Sequence, residues 1–472
     1  MTATCDIAVI GAGPAGMAAA TVAAEGGATV MVFDEQPAPG GQIYRSIERA
    51  QGSTELQRIL GPDYAYGAAL VERFRASGAG YAPGSSVWQI TPEREVWATR
   101  AGRSEVTQAG AVILATGAME RPVPVPGWTL PGVMTAGAVQ ILLKSSGLIA
   151  TEGLVLAGCG PLLYLLAWQL LQAGQPPSAI LDTATRADEF RAVRHLPAAM
   201  RRPLSAPRAE GLGYLRKGLS LRLALRRARL RMFRTVTDVQ IEGGTSVEAV
   251  SFCSGGAIYR VPARLVALHE GVIPAQQATR SLGCDHEWDP VQHCFRPVLD
   301  RWGNTSMPGI LVAGDAGGIG GARAAEHAGR IAAWEALHRI GRIDEFQRIR
   351  YAAPDVVGRA SHLAIRPLLD ALYPPPAKIL RPADDVIVCR CEEITAGQVR
   401  DVARRGCQGP NQAKSFLRAG MGPCQGRMCG NTVSELIAAE RGVSVGDVGY
   451  FRIRPPLKPV TLGELAVMDV AG

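Results

Sequence analysis

Four of the ten cysteines in this 472-residue chain crowd into one segment: Cys389-x-Cys391, then 32 residues, then Cys424-x4-Cys429. Four thiolates suit zinc or an iron–sulfur cluster. A C-x-C pair is unusual for structural zinc, where C-x2–4-C dominates, so the spacing favours a cluster over zinc. Gly420, Gly422, Gly426 and Gly430 surround the second pair and free backbone N–H groups to approach cluster sulfurs. Cys407 stands between the pairs without a partner and reads as packing. Cys5, Cys159, Cys253, Cys284 and Cys294 show neither C-x-x-C nor C-x4-C spacing, which disfavours dithiol chemistry; each reads as a small buried hydrophobe.

A second chemistry sits at the start of the chain. The apolar run Ile7-Ala8-Val9-Ile10 reads as a strand covered on both faces. Gly11-Ala12-Gly13-Pro14-Ala15-Gly16 follows and opens an alanine-rich helix to about Glu25. Gly11 permits the tight turn, Gly13 lets a pyrophosphate reach the backbone, and Gly16 lets helix and strand pack closely. The helix N-terminus, entered through Pro14 and Ala15, then faces the phosphates. Thr29–Phe33 is a strand ending in Asp34-Glu35; Asp34 is placed to accept from the adenosine ribose, with Glu35 the neighbouring alternative.

The same grammar recurs 147 residues later, from Gly11 to Gly158. Leu154–Ala157 reads as a strand, Gly158-Cys159-Gly160-Pro161 as the turn, Leu162–Leu171 as the helix, and Asp182 as the strand-end acid. The glycine-to-acid spacings are 23 and 24 residues. Leu163 replaces the third glycine, which widens the packing or shifts the helix. Asp182 suits a ribose 2′-hydroxyl and disfavours a 2′-phosphate, so NADP is set aside. NAD or ATP as ligand and a purely structural nucleotide fold are both open readings at Gly158, Gly160, Pro161 and Asp182.

The elements that position these groups belong to an α/β chain. Length predicts about three domains. The 47% hydrophobic and 19% charged composition excludes global disorder and coiled coil. Glycine, 55 of 472 residues, exceeds the usual ~7% and favours cradling loops. Residues 153–181 carry no charge, but Gly158-Cys159-Gly160-Pro161 breaks any membrane-spanning helix. Thr4-Cys5-Asp6 leads straight into a strand without a signal peptide, and the expected location is the cytoplasm, with the inner membrane face as an option. Residues 186–234 hold fourteen Lys/Arg against three acids, a net +11, which leaves the rest of the +8 chain at −3. This stretch reads first as a solvated basic face with leucines beneath it, then as a contact for a partner or an anionic membrane. Nucleic acid is not expected.

Val112-Ile113-Leu114-Ala115-Thr116-Gly117 and Ile310-Leu311-Val312-Ala313-Gly314-Asp315 are two further strand-then-glycine segments. Together with the first glycine loop they resemble the two-dinucleotide flavoproteins, such as thioredoxin and glutathione reductases. The resemblance implies FAD, with Ala115, Thr116 and Gly117 beside it and Gly314 and Asp315 at the ribitol chain. It also places Gly41 and Gln42 against the cofactor. Gly321 and Ala322 open a helix whose positive end suits a reduced, anionic flavin. His269–Pro274 resembles the return strand from the second nucleotide domain. The cysteine segment resembles the bacterioferritin-associated-ferredoxin-like [2Fe-2S] domain, which makes Cys389, Cys391, Cys424 and Cys429 the metal ligands.

Nearly the whole chain resembles the alpha (A-type) subunits of heteromeric dye-linked amino-acid and opine dehydrogenases. That group takes in opine oxidase A subunits, a hydrogen cyanide synthase subunit and D-hydroxyproline dehydrogenase alpha subunits. The resemblance rests on Asp34–Arg45, Ala115–Pro122 and the tail Arg454–Val460. It implies an amino-acid-oxidase-like beta flavoprotein that oxidises the substrate, with this chain relaying electrons. It also implies a small [2Fe-2S] gamma subunit, an FMN shared between subunits and a quinone or dye-like acceptor. No catalytic constellation is expected here; His269, His286 and His293 read as structural or surface, and His327 alone could approach the flavin.

The expected architecture is two Rossmann-like dinucleotide-binding domains of the pyridine-nucleotide-disulfide-oxidoreductase type plus a small α-rich [2Fe-2S] domain. The boundaries are 1–148 for the first part of the FAD domain and 149–283 for the second nucleotide domain, with its basic insertion at 186–234. The FAD domain resumes over 284–370, followed by a linker at 371–388, the cluster domain at 389–453 and a tail at 454–472. Two other functions compete with the relay. One is a self-contained NADH-dependent reductase of a ferredoxin-like acceptor; the other is a non-enzymatic module docking an iron-handling partner.

Overall fold

A computed structural model of the chain describes residues 3–150, 152–200 and 210–467. Its first sheet has a parallel centre in the order Gly80–Pro83, Val30–Asp34, Ala3–Ile10, Arg103–Leu114. Ile7–Ile10 lie opposite Val30–Phe33 on one side and Ala111–Leu114 on the other. Arg103–Leu114 changes partner along its length. Its start pairs antiparallel with Glu95–Arg100, and its end pairs parallel with Ile310–Val312. The chain therefore returns after residue 284 to complete the sheet, as the split FAD-type domain requires.

The apolar run in the first strand is continuous because both faces are covered. Ile7 and Val9 join the core made with the helices Pro14–Glu25 and Ala322–Arg339, and Ala8 and Ile10 join the core made with the cysteine-rich domain. Small residues bring the two helices together: a Cβ on Gly329 would lie 2.0 Å from the Ala15 carbonyl oxygen.

The second sheet is wholly parallel, in the order Met232–Arg234, Ala179–Asp182, Leu154–Cys159, Leu265–Glu270, Val133–Thr135. Val133–Thr135 lies before the expected boundary at 148/149, yet its three residues pair with Val266–Leu268. The second domain thus takes its edge strand from residues assigned to the first. Met232–Arg234, assigned to the basic insertion, is the opposite edge strand. An antiparallel meander over residues 237–262 follows it.

The expected linker at 371–388 is packed rather than free. Pro374-Pro375-Pro376 interrupts the helices, but Ile379, Leu380 and Val386 bury against the second domain. Trp128 Nε1 donates to the Ile387 carbonyl at 2.7 Å. The cysteine-rich domain is α-rich as expected, with helices Ala396–Arg404, Pro410–Leu417 and Gly430–Arg441 behind a short hairpin. Its tail runs back over the first domain, where Leu457 N donates to the Trp88 carbonyl at 2.6 Å.

Candidate functional site

Four close approaches at glycines gather the FAD-type motifs at one edge of the first sheet. A Cβ on Gly16 would lie 1.8 Å from Gly11 O, so helix and turn touch there. A Cβ on Gly11 would lie 2.6 Å from Ala115 O, and one on Gly314 would lie 2.8 Å from the Ala15 methyl. Gly41 at φ +60° would place a Cβ 2.7 Å from Gly13 Cα. The N-cap residues of the helices Pro14–Glu25 and Ala322–Arg339 are Gly13 and Gly321, which bring no side chain of their own between the helix N-terminus and a ligand. A Cβ added to Gly117 or Gly321 would meet nothing within 4 Å, which leaves open space beside both strand ends. The cradle fits a dinucleotide of the FAD kind.

The acids divide the work of shaping this cradle. Asp34 accepts from Ala12 N and Gln36 N and so ties the glycine loop to the second strand. Burial pushes its carboxyl up, and the two N–H donors oppose that shift. Asp315 Oδ1 accepts from Gly320 N and Gly321 N, each at 2.9 Å, and fixes the turn into the second helix. Thr116 Oγ1 donates to Ala275 O at 3.2 Å. Glu35, the alternative ribose acceptor, instead anchors the tail through Lys458 at 2.9 Å. Both side chains of that pair are about two-fifths exposed or more, so it contributes only ~0–1 kcal/mol.

Gln42 brings a residue that the sequence reading did not single out. Its carbonyl accepts from Lys144 Nζ at 3.2 Å, and Gln140 Oε1 accepts from the same ammonium at 2.8 Å. Lys144 is 3% exposed, and burial lowers its pKa to about 7. Between this value and the ordinary lysine value the unfolded chain binds more protons than the folded one, so stability rises with pH there. In urea melts of the apoprotein, wild type should gain stability from about pH 7 to 10 at up to ~1.36 kcal/mol per pH unit. Lys144→Met should remove that slope; an unchanged slope would contradict the assignment.

The second nucleotide-like turn is built differently. Cys159 Sγ donates to Glu270 Oε2 at 3.1 Å and Thr183 Oγ1 to Glu270 Oε1 at 2.9 Å. Burial raises Glu270 to about 7. Asp182, expected to meet a ribose, is 1% exposed and accepts from the Tyr164 hydroxyl and from Ala184 N. Arg222 lies over the Tyr164 ring, 5.0 Å from its centroid, and its Nη2 reaches the hydroxyls of Tyr164 and Tyr373. The acid thus serves an internal network, which corrects its reading as an open ribose acceptor. Leu163 is fully buried in the helix core. The basic stretch is also less regular than expected: Leu225 is buried, but Leu212, Leu219 and Leu223 on helix Glu210–Arg227 are exposed. Arg201, Arg202 and Arg208 lie outside the described residues.

The four cysteines arrange as two cross-pairs. Cys389 accepts a hydrogen bond from Cys429, which is the largest cause lowering its thiol to about 6; Gly420 N adds to this at 3.5 Å. Cys429, the donor, is buried and pushed up. Cys391 sits beside Cys424. Cys389 and Cys429 are buried, Cys424 is half-buried and Cys391 exposed. Gly422 makes room at the site, since a Cβ there would lie 2.2 Å from Cys391 Cβ. Among the described residues, no three His, Cys, Asp or Glu side chains form a group for a single metal ion. Four thiols from two sequence pairs, lined by glycine, fit a [2Fe-2S] group.

The histidines are committed elsewhere. His269 Nδ1 pairs with Glu120 at 2.7 Å, His293 Nδ1 with Glu435 at 2.9 Å, and His327 Nδ1 with Asp355 at 2.7 Å. His286 donates to the Cys284 carbonyl, and burial lowers its pKa to about 3. Of the five scattered cysteines, Cys159, Cys284 and Cys294 are buried as expected, whereas Cys5 and Cys253 are half-buried.

The chain matches the pyridine nucleotide-disulphide oxidoreductase family over residues 5–330 and the BFD-like [2Fe-2S] binding domain over residues 387–439. It is 47% identical to the opine oxidase A subunit of Rhizobium meliloti (strain 1021), covering 98% of both chains. It is 32% identical to hydrogen cyanide synthase subunit HcnB of Pseudomonas aeruginosa, covering 96% of both. Among solved structures it resembles the L-proline dehydrogenase from P. horikoshii, with a TM-score of 0.69 and 18% identity over 98% of this chain and 80% of that one.

Proposed function

The chain belongs to the family of opine oxidase A subunits, FAD-dependent oxidoreductase subunits of the pyridine nucleotide-disulphide oxidoreductase fold with a BFD-like [2Fe-2S] domain, and from that premise we propose that it is the electron relay of a heteromeric opine or D-amino-acid dehydrogenase. In this reading a beta flavoprotein subunit oxidises the C–N bond, and a quinone or dye-like acceptor takes the electrons.

One observation carries the proposal. The FAD-type sheet and the cysteine domain share a single core, in which Ala8, Ile10, Val112 and Leu114 pack with Cys389, Val433 and Leu436. The cysteine domain, whose Ile387–Cys389 strand belongs to a separate two-stranded sheet, is thereby packed against the sheet that carries the FAD-type loops. A flavin takes two electrons and releases them singly, and the cluster accepts one at a time. The protein's part is to hold both. Gly11, Gly13 and Gly16 with Gly41 cradle the pyrophosphate, and Asp34 holds that loop in shape. Gly314 and Asp315 place the second helix N-terminus at the flavin end. Cys389, Cys391, Cys424 and Cys429 hold the cluster, with Cys389 and Cys429 shielded from water.

The exposed leucines and arginines of helix Glu210–Arg227 supply a face for the beta subunit. An FMN shared between subunits and a small [2Fe-2S] gamma subunit extend the same reading. Among the described residues no helix is long and apolar enough to cross a membrane.

The NADH-reductase alternative draws support from the all-parallel second sheet and its glycine turn. The Tyr164–Asp182–Arg222 network weighs against it. The relay is tested by adding an opine anaerobically to the holo chain with and without a co-expressed amino-acid-oxidase-like subunit. The cluster's reduced EPR signal is expected only when both subunits are present. Reduction of the isolated chain by the opine would overturn the relay.

A further inference from the structure

A contiguous set of contacts joins the flavin loop to the cluster loop. Strand Val272–Pro274 packs against the turn Gly314–Gly317. The next residue, Ala275, donates from N to Gly117 O at 3.0 Å, and its carbonyl accepts from Thr116 Oγ1 at 3.2 Å. Helix Gln277–Ser281 starts there and presents Arg280. The Arg280 guanidinium lies 4.6 Å from the Phe295 ring centroid and 4.7 Å from that of Tyr450. The Tyr450 hydroxyl donates to Gly426 O at 3.0 Å, inside the loop between Cys424 and Cys429.

The charge on Arg280 is uncompensated. Its Nε donates to the neutral Gln276 Oε1 at 2.9 Å, and its buried Nη2 has no hydrogen-bond partner. Among the described residues no carboxylate forms an ion pair with it. Burial lowers its pKa only to about 10, so it is charged at neutral pH. Aromatic faces on one side and a neutral amide on the other give it no counter-charge. A half-buried guanidinium whose Nη2 is buried without a partner costs free energy, and its position next to the loop of Cys424 and Cys429 gives the cost a use.

We propose that Arg280 is a positioning residue that sets the reduction potential of the cluster, acting as a fixed positive charge beside the loop that carries Cys424 and Cys429. The proposal deepens the relay reading and rests on these cysteines holding a [2Fe-2S] group. Reduction adds one electron to the cluster, supplied in the test by dithionite, with no bond made or broken. A nearby cation in a low-dielectric surrounding favours the more negative state. Arg280 thereby draws the electron toward the cluster.

The test is an EPR-monitored redox titration of the purified holo chain. Arg280→Met should lower the cluster's reduction equilibrium constant about tenfold, ~59 mV for a one-electron couple. Arg280→Lys, which keeps the charge, should hold it near wild type. Gln276→Glu keeps the guanidinium but sets a carboxylate against it, and should lower the constant as Arg280→Met does. This isosteric change covers the case in which the methionine variant fails to fold. Unchanged potentials in variants with full iron content would overturn the proposal. A wild-type chain without iron and labile sulfide would instead sink the underlying cluster assignment.

Discussion

Alanine in place of Gly13 is expected to strip FAD from the protein without unfolding it. Gly13 has φ −77° and ψ −175°, a conformation any residue adopts. The nearest heavy atom to a Cβ there is Gly41 Cα, at 3.7 Å. The apoprotein should therefore melt within a degree or two of wild type, on the order of the small effects of unstrained substitutions. The new methyl nevertheless enters the gap between the two glycine loops, where the pyrophosphate must meet backbone N–H groups. A fall of about 100-fold in FAD affinity is expected, or ~2.8 kcal/mol at 1.4 kcal/mol per decade. Gly16→Ala gives the contrast. Its Cβ would lie 1.8 Å from Gly11 O, so the helix must shift away from the turn. Overpacking of that kind costs ~1–3 kcal/mol or more, and here the melting temperature itself should drop. Flavin fluorescence titration and thermal melts separate the two effects. A Gly13→Ala chain that keeps its FAD would place the pyrophosphate elsewhere.

Cys429→Ser should remove the cluster and spare the flavin. Cys429 is fully buried and stands at the start of helix Gly430–Arg441. Iron and acid-labile sulfide are expected to fall to background, with FAD content unchanged. Thermal stability should also fall, because a metal group bound only by the folded state is folding free energy. Cys407→Ser is the control. Cys407 is also buried, but its Sγ donates to Gly409 O at 3.3 Å, a bond serine reproduces. That variant should keep iron at wild-type content. Loss of iron in Cys407→Ser, or its retention in Cys429→Ser, would contradict the ligand set.

The parts of the fold legible in the sequence are those with local signals. Both strand–glycine–helix turns lie where glycines and flanking apolar runs put them. The helix Pro14–Glu25 ends at the residue expected, and Gly321 caps Ala322–Arg339. The spacing of the four cysteines marks a metal or cluster site, and the resemblance to the bacterioferritin-associated-ferredoxin-like domain supplies the [2Fe-2S] reading. What escaped was long-range. Val133–Thr135 is three residues with no periodicity, so nothing local marks it as an edge strand of the second sheet. The proline run at 374–376 reads as a linker, because the pocket that buries Ile379 and Leu380 is made by distant residues. Asp182 carries the right spacing for a ribose acid. Its acceptor is taken by Tyr164, 18 residues earlier on the helix of the same turn, and the Arg222 that lies over that ring comes from a helix some forty residues on. The Lys458–Glu35 pair spans 423 residues, and the Arg280–Tyr450 contact likewise has no local trace.

That same network around Asp182 bears on where electrons enter. Helix Glu210–Arg227 packs on helix Pro161–Gln172 through Arg222 and Tyr164, and in the proposed relay its exposed side is the face assigned to the partner. Reversing charge at Arg226, Arg227, Arg229 and Arg231 separates these roles, since only docking should depend on residues this exposed.

The most direct measurement is anaerobic mixing of the holo chain with NADH while flavin and cluster absorbance are followed. The relay account predicts no bleaching by NADH, with dithionite reducing both centres. Rapid bleaching by NADH would contradict it and make the second domain a working nicotinamide site.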